Sequence, residues 1–328
     1  MGGKKTVIAV LAAVAVIAIL SAPRKRSIDI LDVFGTVSQI TVYDRSDKAL
    51  DECRDFLYRA DKLLSYSDSE SEIYRLNCHE AVELSPETEE LLRLGEGYSD
   101  QNTFNIFCGA LTDRWEQAKA DGGEYLPDTD AIASVYPFSL EIKDHTAFLA
   151  NPEQKVNLGA IAKGYATKKL VEILDNHSVK RAIINLGGNI YVKGRKSGRE
   201  NWKVGIQDPD GDGYLGVLSL ADTSVITSGD YERYFEQNGV RYHHIIDPKT
   251  GISAKSGLRA VTVICADPTV GDMLSTKCFI AGFEKSHEFL SEYDALAIFV
   301  TDGRKVYYPK EISDRFDKRS EKYIFLEY

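Results

Sequence analysis

Residues 181–194 read RAIINLGGNIYVKG, and NWKVGIQDP (201–209) and YLGVLSLADTSVITSG (214–229) follow. Each is short, rich in β-branched and apolar residues, and set off by Gly, Asn, Asp or Ser, so each reads as strand. The RYHHIID run (241–247) and LRAVTVICA (258–266) read the same way, and ALAIFVTDGRKVYY (295–308) reads as a hairpin turning on Asp302-Gly303. Upstream, VFGTVSQITVY (33–43) is a strand, while DKALDECRDFLYRADKLLS (47–65) places Ala49, Cys53, Phe56, Leu57, Ala60, Leu63 and Leu64 at helical spacing. YSDSESEIYRLN (66–77) is a polar loop entering a short helix. Ser85-Pro86 with Glu87 and Glu89 starts a helix running to about Tyr98, since it offers a capping hydroxyl, a first-turn proline and acids near the positive dipole end. Further helices are expected over 110–120, 160–176 and 269–282. Sequential strands with interspersed helices, and no internal repeat or low-complexity linker, give an α+β class with a mixed or antiparallel sheet.

The chain has 328 residues, 43% apolar and 27% charged, enough for a substantial core. Its net charge of −10 sets nucleic acid aside as a partner. An anionic nucleotide would need a metal ion, a lysine or a helix N-terminus to offset that charge. The five cysteines, Cys53, Cys78, Cys108, Cys265 and Cys278, show no zinc spacing and an odd count. They read as buried small apolar groups, with one disulfide left open.

Lys4 and Lys5 precede the uninterrupted apolar run TVIAVLAAVAVIAILSA (6–22), and Pro23-Arg24-Lys25-Arg26 follows. This is a membrane-inserting segment, divided here as residues 1–27 ahead of a folded domain at 28–328. The run is slightly shorter than the roughly 20 residues of a standard span, so a signal core and an uncleaved anchor both fit. Pro23 makes a poor cleavage site, and no cysteine stands at the end of the run for lipid attachment. An uncleaved anchor with the folded domain outside the cytoplasm is the favoured reading, although flanking charges leave orientation open.

Several motifs carry chemistry. GAIAKG (159–164) is not a Walker loop, because its lysine precedes the second glycine and no serine or threonine follows. It is either a tightly packed strand-to-helix turn or a helix N-terminus whose free N–H groups, with Lys163, face an anion. GDMLST (271–276) puts Asp272, Ser275 and Thr276 at i, i+3 and i+4. That set suits a hard cation such as Mg²⁺, or else is a surface aspartate beside a back-bonded threonine. DPDGDG (208–213) begins like a calcium loop but has Ser219 where the bidentate glutamate belongs, so a β-turn is favoured over weak Ca²⁺ binding. In HHIIDPKTG (243–251) the two imidazoles point to opposite faces of a strand, so they do not share one site. ITSGDY (226–231) offers a Thr-Ser pair before glycine but no nucleophile elbow.

Taken in order, FGT (34–36), SESEIYRLN (69–77), FNIFCGALTDRW (104–115), VNLGAIAKGYA (156–166), INLGGNIYVKG (184–194), TSGDYERYF (227–235), HHIIDPKTG and ADPTVGDMLSTKCFIAG (266–282) resemble the FAD:protein FMN transferase family. The family was once described as thiamine-biosynthesis lipoproteins. The resemblance spans nearly all of the chain beyond the apolar run. It implies a T-fold-like α+β flavin transferase that moves the FMN half of FAD to a threonine or serine hydroxyl of an acceptor protein, releasing AMP and requiring Mg²⁺. It further implies metal binding by the Ala160 carbonyl, Asp272 and Thr276, with Ser275 used in some members. FAD contacts carry over to Phe34, to Tyr66 or its neighbour, to Phe104, Asn105 and Ile106, and to Asn157, Lys163 and Ile246. His244 is the expected base, because its ordinary pKa lies near working pH, with Asp247 as orienting partner or substitute.

The chain departs from the family pattern in three ways: Phe34 stands where methionine is frequent, Asn105 and Asn157 replace aspartates, and the lipid-bearing cysteine is missing. A more neutral site keeps a Mg²⁺-dependent FAD pyrophosphatase open as an alternative, and a non-catalytic, membrane-tethered flavin-binding protein as another. The implied acceptors are redox-pump subunits or extracellular flavoproteins.

Overall fold

The computed structural model describes residues 25–44, 46–126, 130, 132 and 135–328. The apolar run and its anchor reading lie outside the described residues. Among the described residues no helix is long and apolar enough to cross a membrane.

A nine-stranded sheet organises the chain. Its strands are β1 (Arg26–Val33), β2 (Thr36–Val42), β6 (Ala182–Leu186), β7 (Asn189–Lys193), β10 (Thr223–Gly229), β13 (Leu258–Cys265), β14 (Leu296–Thr301), β15 (Lys305–Tyr308) and β17 (Ile324–Glu327), in that spatial order. All neighbours are antiparallel except β15 and β17, which makes the sheet mixed. Smaller sheets are β3 (Val82–Glu83), β5 (Thr146–Leu149) and β4 (Leu140–Lys143); β16 (Phe316–Lys318), β9 (Tyr214–Leu220) and β8 (Trp202–Gln207); and the hairpin β11 (Tyr234–Gln237) with β12 (Val240–His243).

Seven helices are among the described elements: α1 (Asp47–Leu64), α2 (Glu72–Asn77), α3 (Pro86–Tyr98), α4 (Gly109–Asp121), α5 (Ala162–Asn176), α6 (Pro268–Ala281) and α7 (Phe283–Glu292). Local chemistry sets their starts. The Ser46 hydroxyl accepts from Ala49 N–H at 3.3 Å, Ser85 caps α3 ahead of Pro86, and Asp267 caps α6 by accepting from Thr269 N–H at 2.8 Å.

Strand alternation decides which face each side chain meets. On β13, Val261, Val263 and Cys265 join one core with α1, α5, α6 and α7, whereas Ala260 and Ile264 join a second core with Trp202, Leu218 and Phe316. Helices therefore cover one face of the sheet and β8, β9 and β16 the other. Buried on both faces, β13 is a near-continuous apolar run.

Two expected strands prove to be pairs. RAIINLGGNIYVKG folds back as β6 and β7 on Gly187 and Gly188, whose φ values of 57° and 96° a side chain would strain. YLGVLSLADTSVITSG breaks at Asp222 (φ 50°), sending β9 and β10 to different sheets. The cysteines also differ from expectation. All five are free thiols, but only Cys53, Cys265 and Cys278 are buried; Cys108 is half-buried and Cys78 exposed.

Candidate functional site

The site begins where α5 meets α6. Helix α6 is buried over most of its length, yet carries Asp272, which is 5% exposed. Such a carboxylate needs partners. One is the Gly164 N–H, which donates to Asp272 Oδ2 at 2.8 Å across 108 residues of sequence. In an uninterrupted helix that N–H would go to the Ala160 carbonyl, so its diversion frees the Ala160 oxygen for another partner. Glycine is required here. A Cβ at Gly164 would lie 2.5 Å from Asp272 Cβ and closer still to the Pro268 carbonyl oxygen.

One turn further along α6, the Ser275 hydroxyl donates to the Asp272 carbonyl at 2.8 Å. Back-bonding therefore falls on Ser275, whereas Thr276 Oγ1 faces Ser228 Oγ on β10 at 3.4 Å. Ser228 Oγ also lies 2.8 Å from Ser275 Oγ. In the sequence Ser228 stands out only as part of the Thr-Ser pair in ITSGDY, with no sign of a partner on α6. Among the described residues, no group of three or more His, Cys, Asp or Glu side chains gathers as a metal site. The set at hand is of another kind: one buried carboxylate without a cationic partner among the described residues, a threonine hydroxyl and a freed carbonyl. These are hard oxygen donors, and they fit a hard dication better than zinc.

The loop before α5 is pinned by its neighbours. Asn77 holds Val156 through two hydrogen bonds, Nδ2 donating to its carbonyl at 2.8 Å and Oδ1 accepting from its N–H at 2.7 Å. Asn157 N–H donates to the Ile106 carbonyl at 2.7 Å, which joins this loop to the Phe104-Asn105-Ile106 turn. Asn157 Oδ1 accepts from Gly159 N–H at 2.8 Å, and Asn105 Oδ1 from Phe107 N–H at 2.8 Å. Both asparagines thus shape turns. Phe104 and Ile106 are each 1% exposed, so their side chains belong to the core, and what the turn can offer a ligand is its backbone and Asn105. Ile246 is likewise buried, with Leu111 and Trp115.

Phe34 sits at φ 53°, its N–H donating to Asp61 Oδ1 at 2.7 Å. The Tyr66 hydroxyl donates to Asp113 Oδ1 at 2.7 Å and lies 3.0 Å from the Gly109 carbonyl, while Lys155 pairs with Asp113 Oδ2 at 2.6 Å. Burial, reinforced by Asp113, raises the Tyr66 phenol far above its usual range, so it acts as a hydroxyl donor.

The two histidines separate, but not by alternation along one strand: β12 ends at His243 and His244 lies just beyond it. His243 is buried, with Nε2 on the Ala254 carbonyl at 3.0 Å and its ring edge-on to Phe279. His244 is half-buried beside Trp115, and its Nδ1 faces the Arg233 carbonyl at 3.3 Å. A carbonyl only accepts, so Nδ1 carries the proton and Nε2 is left as acceptor. Burial first, then the charges of Arg233, His243 and Lys163, hold the His244 pKa well below 6.5. Asp247 does not orient this ring: its Oδ1 accepts from Lys249 N–H at 2.8 Å in the following turn, and the Arg233 carbonyl holds the imidazole instead. A groove of about 680 Å³ lined by Glu52, Asp55, Arg59, Glu90 and Lys169 among others shares no residue with this cluster.

The DPDGDG turn closes the β8–β9 hairpin, with Asp208 N–H bonded to the Gly213 carbonyl at 2.9 Å. Asp208 accepts from the Tyr323 hydroxyl at 2.6 Å and Asp210 pairs with Arg259 at 2.6 Å. These carboxylates are satisfied from within the protein.

Fold and site together define an α+β protein in which a loop–helix junction crosses a second helix and gathers a buried carboxylate, a threonine hydroxyl and a freed carbonyl. The chain belongs to the ApbE family, whose model matches residues 34–300, and it is thereby placed among transferases. It is 33% identical over 315 residues to a Treponema pallidum protein named FAD:protein FMN transferase, covering 86% of each chain. A Klebsiella pneumoniae protein of the same name is 32% identical over 289 residues, covering 84% of this chain and 89% of the relative. The crystal structure of the ApbE protein of Thermotoga maritima superposes with a TM-score of 0.75 at 27% identity, covering 90% of this chain and all of that one.

Proposed function

We propose that this protein transfers the FMN moiety of FAD to a threonine or serine hydroxyl of acceptor proteins, with Mg²⁺, releasing AMP. The observation that supports this most is the Gly164 N–H to Asp272 hydrogen bond, because it places a helix N-terminus, Lys163, the freed Ala160 carbonyl and the Asp272–Thr276 face in one neighbourhood. The Ala160 carbonyl, the Asp272 carboxylate and the Thr276 hydroxyl would hold the ion, with Ser275 behind them. Bound there, Mg²⁺ supplies positive charge to a pyrophosphate.

The chain's own groups do the rest. Lys163 and the N-terminal amides of α5 draw negative charge from the phosphates, which favours in-line attack at the FMN phosphorus with AMP as leaving group. His244, neutral and with Nε2 free, takes the proton of the acceptor hydroxyl. Asn105, Asn157, Phe34 and Tyr66, together with the backbone of Phe104, Ile106 and Ile246, form the flavin and adenine contacts. The apolar run at 6–22 supports attachment to the cell membrane with this domain outside the cytoplasm, beside membrane or extracellular acceptors.

The test is an acceptor fragment with a threonine in a small-residue context, incubated with FAD and Mg²⁺. Transfer gives a mass gain of one FMN and equimolar AMP. Free FMN and AMP with no labelled acceptor would replace the proposal by pyrophosphatase chemistry, and tight FAD binding without AMP by a carrier.

A further inference from the structure

The hydroxyls between β10 and α6 form a chain whose direction follows from counting protons. Ser275 has one hydroxyl proton, and the Asp272 carbonyl at 2.8 Å can only accept it. In the 2.8 Å contact between Ser228 and Ser275, the proton is therefore that of Ser228. With that proton committed, Ser228 can only accept in its 3.4 Å contact with Thr276. The Thr276 proton points at Ser228, and both Thr276 lone pairs point elsewhere. The contact is long for an O–H···O bond, so it aims the hydroxyl without competing for its oxygen.

Resting on the metal reading proposed above, we infer that Ser228 is a positioning residue: through the relay Thr276 to Ser228 to Ser275 to the Asp272 carbonyl, it presents Thr276 Oγ1 to the cation as a pure acceptor. Ser275, 0% exposed, serves as the relay's inner member and not as a ligand. The relay ends on the backbone carbonyl of the residue whose carboxylate would hold the same ion, while that carboxylate is itself set by the Gly164 N–H from α5. Outer partners of this kind orient metal ligands and tune their affinity.

The experiment titrates Mn²⁺ alone into the protein and reads free Mn²⁺ by electron paramagnetic resonance. Ser228→Ala is expected to weaken Mn²⁺ binding about 10- to 100-fold, the range for lost outer partners. Ser228→Thr, which keeps the hydroxyl, restores most of it. Thr227→Val, on the opposite face of β10 where Thr227 meets Thr262 at 2.8 Å, leaves it unchanged. In a Thr276→Ala background the Ser228→Ala loss disappears, which a general loosening of the strand would not produce. Wild-type affinity in Ser228→Ala, or an equal loss with and without Thr276, overturns the inference while Asp272→Ala still abolishes binding. If Asp272→Ala binds as wild type does, the metal reading itself fails and this inference falls with it.

Discussion

Two regions of this molecule hold a buried aspartate in a motif that suggests a cation site, and they behave oppositely. In the turn at 208–213, Asp208 meets the Tyr323 hydroxyl and, at 3.6 Å, Lys322, while Asp210 meets Arg259 at 2.6 Å and Arg304 at 3.6 Å. Asp210 is held below its usual pKa by these arginines, against the opposing effect of its partial burial. On α6, Asp272 is as deeply buried as Asp208, but among the described residues its carboxylate has a single backbone N–H and no cation. A calcium-like motif whose charges are neutralised at home is structure. A buried acid with no cationic partner among the described residues, beside a threonine hydroxyl, is a place for an ion to arrive.

The largest effect should come from removing that lone charge. We predict that Asp272→Ala abolishes Mg²⁺-dependent turnover while circular dichroism remains native; turnover persisting at limiting Mg²⁺ would erase the contrast between the two regions. Next is His244→Ala, with an expected loss of about 10²–10⁴-fold in turnover, the span for a positioned base. Because its folded pKa is depressed, His244 stays neutral well below pH 6.5, so the acid limb of the rate profile should lie well under that value. Stability carries the matching sign. As pH falls below about 6.5 the unfolded chain binds a proton that folded His244 refuses, so this group costs stability on the acid side. An acid limb at the ordinary histidine pKa would assign the base elsewhere. Gly164→Ala comes third. The added methyl pushes Asp272 and the Pro268 carbonyl away from α5, and a misplacement of about 1 Å should cost on the order of 10²-fold in turnover. Equal rates would show that the helix crossing has slack.

The elements legible in sequence were those with local signatures. Ser85 announces α3 through a cap that acts within a few residues, and the buried stripe of α1 follows from its spacing, whereas the caps Ser46 and Asp267 emerge only in the structure. The 181–194 hairpin was read as one strand because β-branched content does not reveal where the chain reverses. β1 was missed because it is an edge strand with only Ile30 and Val33 buried and a register shift between them, so RSIDILDV shows no regular alternation; α7 and β17 were missed too. The site divides in the same way. The Asp272–Thr276 face is visible as an i, i+4 spacing, whereas Ser228 lies 48 residues from Thr276 and only the packing of β10 on α6 brings them together. Phe104 and Ile106 sit in a stretch that resembles a ligand-binding turn, yet their apolar side chains go where apolar side chains gain most, into the core.

The smallest functional effect should come from the turn that looked most like a metal loop. Tyr323 is 6% exposed and donates its hydroxyl to Asp208 at 2.6 Å. In Asp208→Ala that hydroxyl loses its acceptor inside the second core, which should lower unfolding stability by about 1–3 kcal/mol. Turnover at saturating Mg²⁺ should stay close to wild type, and added Ca²⁺ should shift the melting temperature of neither protein. The two measurements together separate the regions: a carboxylate engaged by its own protein is missed by the fold, and one left for an ion is missed by the reaction. A Ca²⁺-dependent rise in the wild-type melting temperature that vanishes in Asp208→Ala would reverse the assignment, because it would mean that the turn exchanges its internal cations for an external one.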